Sequence, residues 1–322
     1  MAKLTRKTTR KKSVSKVSPL YRRIGFVVKH HQKEATELAA DLAASAVLRG
    51  CSVILDKGES RLKSAVMRRI TGKYPKAKKC VTQQSKDRMI DLVDLVVVLG
   101  GDGTFLGIAR RMKKRSIPLL GVNMGTLGFL TEIKKEEAHA VFDTVLSNPR
   151  VKMSQRTLLE VCLRRGGKVI LNEPIVNDAV VSKGTIARMI GIDVTVNSSP
   201  ANTVRADGMI ISSPTGSTAY SLAAGGPIVE PHISAMIVTP ICPHSLTQRP
   251  MLLADTSKVE LRLRDRPGEV FLTLDGQNAV RLFEGDVITV RKFKRHPLKL
   301  ISSPTRDYFS LIREKFQFGS RI

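Results

Sequence analysis

The 322-residue chain has no tryptophan, its aromatic residues make up only 4% of the whole, and its four cysteines are scattered. Few stacking rings, and no zinc, RGG or helix-turn-helix signature, argue against a nucleic-acid partner. Cys51, Cys80, Cys162 and Cys242 stand far apart without metal-ligand spacing. Free thiols in a reducing cytoplasm are therefore expected, not a disulfide frame. No apolar run approaches the roughly 20 residues that span a bilayer, so no membrane partner is expected. The basic start has no apolar segment behind it, which argues against a secretory signal. Its Arg and Ser content leaves an organelle transit peptide as the minor alternative. A chain this long buries a large core without covalent staples, and two domains are the expectation.

Acids are also scarce, with 28 Asp and Glu against 54 Lys and Arg, a formal charge of +26. Residues 1–23 carry nine of the basic residues and no acid. That stretch reads as a solvated, disordered tail. The excess is not confined to it, however, and a positive field also serves anionic small substrates.

Apolar periodicity predicts a strand over 24–28, a helix over 33–48 closed by Gly50, and a strand over 52–55. Residues 57–90 are basic, broken by Gly72 and Pro75, and show no clean period. Strands at 95–99 and 118–122 and a helix over 135–146 follow. Such alternation indicates an α/β fold with a Rossmann-like parallel sheet. Past Asn148-Pro149 the pattern changes to short strands at 158–163, 169–171, 179–181, 190–196, 209–211, 259–263, 270–273 and 287–290, a mostly β domain. Residues 307–315 read as a helix packing back on the first domain. The expected layout is a tail (1–23), an α/β domain (24–148), a mostly β domain (149–290) and a returning segment (291–322).

The densest chemical signal is Leu95 to Thr104, where a Val-rich run ends in Gly100-Gly101-Asp102-Gly103-Thr104. An apolar strand buried on both faces, then glycines, then a helix start is a phosphate-binding arrangement at a sheet edge. Asp102 would repel a bare anion, so it holds a metal or accepts a proton from a hydroxyl, which suggests phosphoryl transfer. A plain β-turn remains the other reading. The second glycine-rich loop, Gly121 to Leu130, falls at the same edge and is either a cleft wall or a packing turn. Asn177-Asp178 suits an adenine edge and a ribose diol, or else opens a strand as an Asx-turn. Asn172-Glu173 offers a competing pair. Arg205-Ala206-Asp207-Gly208 and Ser213 to Tyr220 form the densest polar segment, fit for a nucleoside or phosphate, or an exposed turn cluster. Asp275-Gly276-Gln277 reads as a hairpin turn. No nucleophilic triad or Walker-type P-loop is visible.

In this order the motifs resemble the NAD kinase family, over about residues 24–290. The glycine-aspartate loop is shared with 6-phosphofructokinases and diacylglycerol-type lipid kinases, whereas the Ser213–Tyr220 block and its distance from Asn177-Asp178 mark the dinucleotide kinases. The resemblance implies ATP-dependent 2′-phosphorylation of NAD to NADP. It places Asp102 against the 2′-hydroxyl of the adenosine ribose to orient or deprotonate it, with Gly103 beside the dinucleotide. Gly100, Gly101, Gly103 and Thr104 would cradle the phosphates of ATP, and Asn177 and Asp178 would hold the adenosine. Thr215, Thr218, Ala219 and Tyr220 would contact adenine or ribose, partly across a subunit interface. Arg205 and Asp207 would face the nicotinamide, and Phe129 would line the pocket. The family pattern also implies a divalent metal such as Mg²⁺ with ATP or polyphosphate, and a cytoplasmic homodimer or homotetramer. Asp178 stands where many relatives carry Glu, which keeps the carboxylate with a shorter reach. A lipid kinase and a non-catalytic dinucleotide sensor are the alternatives to exclude.

Overall fold

A computed structural model of the chain describes residues 19–71, 75–184, 188–264 and 268–317. The expected tail, up to residue 18, and the last residues of the returning segment, 318–322, lie outside the described residues. The first part runs β1 (Arg23–Val28), α1 (Lys33–Leu48), β2 (Ser52–Asp56), α2 (Ser60–Thr71), β3 (Val81–Gln84) and α3 (Lys86–Leu92). It continues through β4 (Leu95–Gly100), α4 (Asp102–Ala109), β5 (Pro118–Asn123), β6 (Ile133–Lys134), α5 (Ala138–Ser147) and β7 (Met153–Arg156). The Val-rich run of β4 is fully buried because successive side chains feed two cores. Leu95, Val97 and Leu99 face α1, α2 and α5, whereas Val96 and Val98 join Phe105 and Ile108 of α4 on the other side. Both faces of the sheet are covered, which is why this strand shows no polar alternation.

Residues 57–90 are more regular than their sequence suggests. α2 buries Leu62, Ala65, Val66 and Ile70 and turns Arg61, Lys63 and Arg68 outward. Its basic residues dilute the apolar stripe without erasing it. α3 is capped by Ser85, whose hydroxyl accepts from the Arg88 amide.

The remaining strands are β8 (Leu159–Arg165), β9 (Lys168–Ile175), β10 (Asp178–Lys183), β11 (Ile190–Val196), β12 (Ser199–Ala206) and β13 (Gly208–Ser212). One short helix, α6 (Tyr220–Ala223), precedes β14 (Ala235–Ile241), β15 (Met251–Ala254), β16 (Val259–Leu263) and β17 (Val270–Leu274). The chain closes with β18 (Asn278–Leu282), β19 (Val287–Lys292), β20 (Leu298–Ile301) and α7 (Tyr308–Phe316). Two antiparallel sheets, β15-β14-β13-β10-β17-β18 and β12-β11-β16-β19-β8-β9, share one core that includes Ile192, Met209, Ile211, Leu272 and Ile288. The fold class is therefore the expected one, a parallel α/β part joined to an antiparallel β part. The first sheet has the order β3-β2-β1-β4-β5-β20-β7. β20 pairs parallel with β5, so the end of the chain is woven into the first sheet.

Candidate active site

Asp102 is the first residue of α4, directly after the β4 strand end, with Gly101 at the N-cap. Its side chain is not free. Oδ1 accepts from the Leu130 amide at 3.2 Å, the Thr131 amide at 3.1 Å and the Thr131 hydroxyl at 2.9 Å. Among the described residues, Oδ2 accepts only from the Phe129 amide, at 3.0 Å. The two glycine-rich loops are thus tied together by this one carboxylate. The second loop passes so close that a Cβ on Gly128 would stand 2.0 Å from Asp102 Oδ1 and 2.5 Å from Thr131 Oγ1. Only glycine permits that approach. One loop face of Asp102 is saturated while Oδ2 keeps room for a further donor.

Gly101 and Gly103 face open space where a Cβ would go, whereas on Gly100 it would meet Thr104 Oγ1 at 2.7 Å. Gly103 is contacted from the β part: Gln277 Nε2 donates to its carbonyl at 2.8 Å. Gln277 sits in the turn between β17 and β18. In the same turn Asp275 adopts φ 48° and Gly276 φ 63°. The Asp275 carboxylate accepts from the amides of Val176, Asn177 and Asp178, the shortest being Asn177 at 2.7 Å. Arg110, just beyond α4, stands 3.7 Å from Asp275 Oδ2. One hairpin turn therefore fixes both the backbone of Asn177-Asp178 and the helix that carries Asp102.

Asn177, Asp178, Val180, Ala219, Tyr220 and Asp275 are among the residues around a cavity of about 350 Å³. Among the described residues no group donates to the Asp178 carboxylate, which is only 4% exposed. Burial, and then the neighbouring charge of Asp275, push its pKa from 3.8 to about 7. Asp275 is also raised by burial, against the pull of the three amides and Arg110. A nearly naked buried carboxyl beside a half-exposed ring is suited to a ligand that brings hydroxyls and a flat base. Gly216 makes the wall of this site compact, since a Cβ there would stand 2.2 Å from the Asn177 carbonyl. Among the described residues the Thr215 hydroxyl is buried without a partner, and the Thr218 hydroxyl donates to the Thr215 carbonyl at 3.3 Å.

Other residues singled out in the sequence fall elsewhere. Arg205 and Asp207 lie beyond the Gly208 end of β13, whereas Asp178 pairs with Ser212 at its other end. Asp207 is ion-paired to Lys183 at 2.8 Å. The Phe129 ring packs between Tyr308 and Phe316 of α7, at centroid distances of 6.2 and 5.7 Å, with Lys315 Nζ over its face. Its contribution next to Asp102 is its amide. Glu173 of the competing pair is on β9 and bonded to Lys113. Gly128 and Gly216 fall inside the two flagged loops, Gly121 to Leu130 and Ser213 to Tyr220, without being singled out there, whereas Asp275, Gln277 and Arg110 carry no site expectation from the sequence. The Asp-Gly dipeptide was the available signal, but a hairpin reading accounted for it fully.

Residues 24–151 match the ATP-NAD kinase N-terminal domain and residues 176–303 the ATP-NAD kinase C-terminal domain. The chain belongs to the NAD kinase family. The NAD kinase of Syntrophotalea carbinolica is 40% identical over 304 residues, covering 93% of this chain and all of that protein. That of Geobacter sulfurreducens is 45% identical over 230 residues, 71% of this chain and 80% of that one. Among solved structures, yeast NADH kinase complexed with NADH superposes with a TM-score of 0.84 at 27% identity, over 94% of this chain and 89% of that one. An Archaeoglobus fulgidus NAD kinase in complex with ATP shares the fold, with a TM-score of 0.63 at 23% identity, over 91% and 99% of the two chains.

Proposed function

We infer that the chain transfers the γ-phosphoryl group of ATP to the 2′-hydroxyl of the adenosine ribose of NAD, making NADP. The observation that carries this reading is the Asp102 carboxylate, held at the rim of the parallel sheet by three loop amides with Oδ2 left able to accept one more donor. A ribose hydroxyl is a weak nucleophile, so the protein must place it in line with the γ-phosphorus. As the O2′–P bond forms and the bond from phosphorus to the ADP oxygen breaks, the hydroxyl proton passes to Asp102. Gly101 and Gly103, with open space beside them, leave the phosphate chain free to approach the backbone at the start of α4. Asn177 and Asp178, with Tyr220 and Ala219 across the cavity, hold the adenosine. By the family resemblance, Gly103 and Thr104 contact the phosphates and Thr215 and Thr218 the adenosine.

Among the described residues no three His, Cys, Asp or Glu side chains converge as a metal site. A divalent ion such as Mg²⁺ would be held mainly by the phosphate oxygens of ATP and water, as such an ion prefers, and would supply charge neutralisation to the transferring group. Arg205 and Asp207 stand at the other end of β13, so their place at the nicotinamide end calls for a second copy of the chain. A homodimer or homotetramer working in the cytoplasm fits this, with residues 24–148 and the returning segment acting as the donor half and 149–290 as the acceptor half. Incubation of the purified protein with NAD, ATP and Mg²⁺ tests the reading. NADP should accumulate in step with ADP, and its absence under all donors tried would refute it.

A further inference from the structure

Three later stretches of the chain converge on one buried residue, Glu132. It directly follows Thr131, which gives both its amide and its hydroxyl to Asp102 Oδ1. The Glu132 carboxylate is held from two sides. Arg156 Nη2, at the end of β7, donates to Oε1 at 3.1 Å, and the Ser303 amide, just past β20, donates to Oε2 at 3.1 Å. Arg306, ahead of α7, donates to the Glu132 carbonyl at 3.3 Å. The residue beside the Asp102 contacts is thus gripped by groups 24, 171 and 174 positions further along the chain.

Stability alone is a poor reason for this arrangement. Glu132 is 6% exposed and Arg156 4%. Burial raises the Glu132 carboxyl and lowers the Arg156 guanidinium, in each case against the pull of the other. Taking two charges out of water offsets much of their attraction, and an uncharged pair of like volume often serves a fold as well. Among the described residues Arg156 Nε is also buried without a hydrogen-bond partner. What the pair does supply is direction. A carboxylate fixed by donors on two different segments holds its own backbone at one place and angle. α7 closes the same corner, since Tyr308 packs on the Phe129 ring and donates to the Val229 carbonyl at 3.3 Å.

We propose that Glu132 and Arg156 are positioning residues: their buried pair locks the Phe129–Thr131 amides in the geometry that aims Asp102 Oδ2 at the acceptor hydroxyl. The inference rests on reading Asp102 as the proton acceptor of a kinase. Both residues act through Asp102.

Removing one partner leaves a bare buried charge, so the pair is best removed together, as Glu132→Gln with Arg156→Met. Gln keeps an oxygen for the Ser303 amide, and Met fills the space of the arginine stem. The thermal midpoint should stay within a few degrees of wild type. At saturating NAD and ATP, kcat should fall roughly ten- to a hundredfold, with the KM for NAD within about twofold of wild type. The same paired change in an Asp102→Asn background should cost less than about twofold more, because the group being aimed is already gone. A wild-type kcat in the paired variant, or a loss as large without the Asp102 carboxylate as with it, overturns the assignment even if NADP is made. Should the paired variant unfold, Arg156→Lys keeps the charge on a shorter stem and is put through the same two comparisons, with the same outcomes deciding. Hydrogen exchange of the 129–131 amides reads the lock without turnover. Faster exchange in the variant of a protein that makes no NADP would uphold the lock and refute the kinase reading, whereas unchanged exchange would overturn the lock.

Discussion

Asp102 serves two ends at once, since the carboxylate proposed to receive a proton also anchors the loop from Gly128 to Thr131. Asp102→Asn keeps the shape but sets an NH₂ group or a weaker acceptor against the Phe129 amide. Loss of general-base assistance alone predicts a fall in kcat of roughly a hundred- to ten-thousand-fold, read from NADP formation at saturating substrates. Gly128→Ala tests the loop half of the role. With its Cβ 2.0 Å from Asp102 Oδ1, the loop must shift, and a loss of about 1–3 kcal/mol in a denaturant titration is expected together with reduced turnover. Asp178 gives a pH signature. Its pKa is 3.8 ordinarily and about 7 in the fold, so the folded chain holds a proton that the unfolded chain has released. The contribution of this group to stability is complete below 3.8 and is lost as pH rises toward about 7. Asp178→Asn cannot ionise. Its stability relative to wild type should climb across that interval and level off above it, as read from unfolding midpoints at several pH values. At this scale the sequence displayed Asp102 and Asp178 because glycines or a polar neighbour framed them. It concealed Asp275, whose role depends on three amides 97 to 99 residues away.

The β17–β18 turn is the element that joins the two halves of the site. Gln277 holds the Gly103 carbonyl, and Asp275 holds both Asn177-Asp178 and Arg110. Gln277→Ala removes one exposed hydrogen bond worth at most about 1 kcal/mol. It should lower kcat severalfold while leaving the KM for NAD near wild type, since the adenosine cavity keeps its Asp275 contacts. An unchanged kcat would show that α4 is positioned without this turn. Elements with a clean period, such as α1 and β11, were readable to the residue because local patterning and tertiary burial agree there. α2 was not, because four Lys and Arg, three of them on its outer face, mask a four-residue apolar stripe. β12, β15 and β18 were hidden for a different reason. All three lie at sheet edges: β12 and β18 carry exposed polar residues that periodicity cannot separate from loops, and β15 is a four-residue apolar stretch too short to show a period.

Across the molecule, the chain crosses between its two parts twice, since β20 returns to lie between β5 and β7. A four-residue strand of this kind is set by its neighbours in space, and nothing local in 298–301 announces it. α7 then covers Phe129, which ties the terminus to the second glycine loop. At the amino-terminal side the described residues begin just ahead of β1, where the Leu20 amide donates to the Leu146 carbonyl at 3.2 Å. Removal of residues 1–18 should leave NADP formation and thermal stability unchanged in a coupled assay and a melting curve. Loss of either would assign the basic tail a part in the fold or the reaction. The central claim, that one carboxylate takes the proton of the acceptor hydroxyl, is tested most directly by a crystal structure with NAD bound. The account places the adenosine 2′-oxygen within about 2.6–3.2 Å of Asp102 Oδ2. A dinucleotide bound with that oxygen out of reach of Asp102, and against another acid, would contradict it.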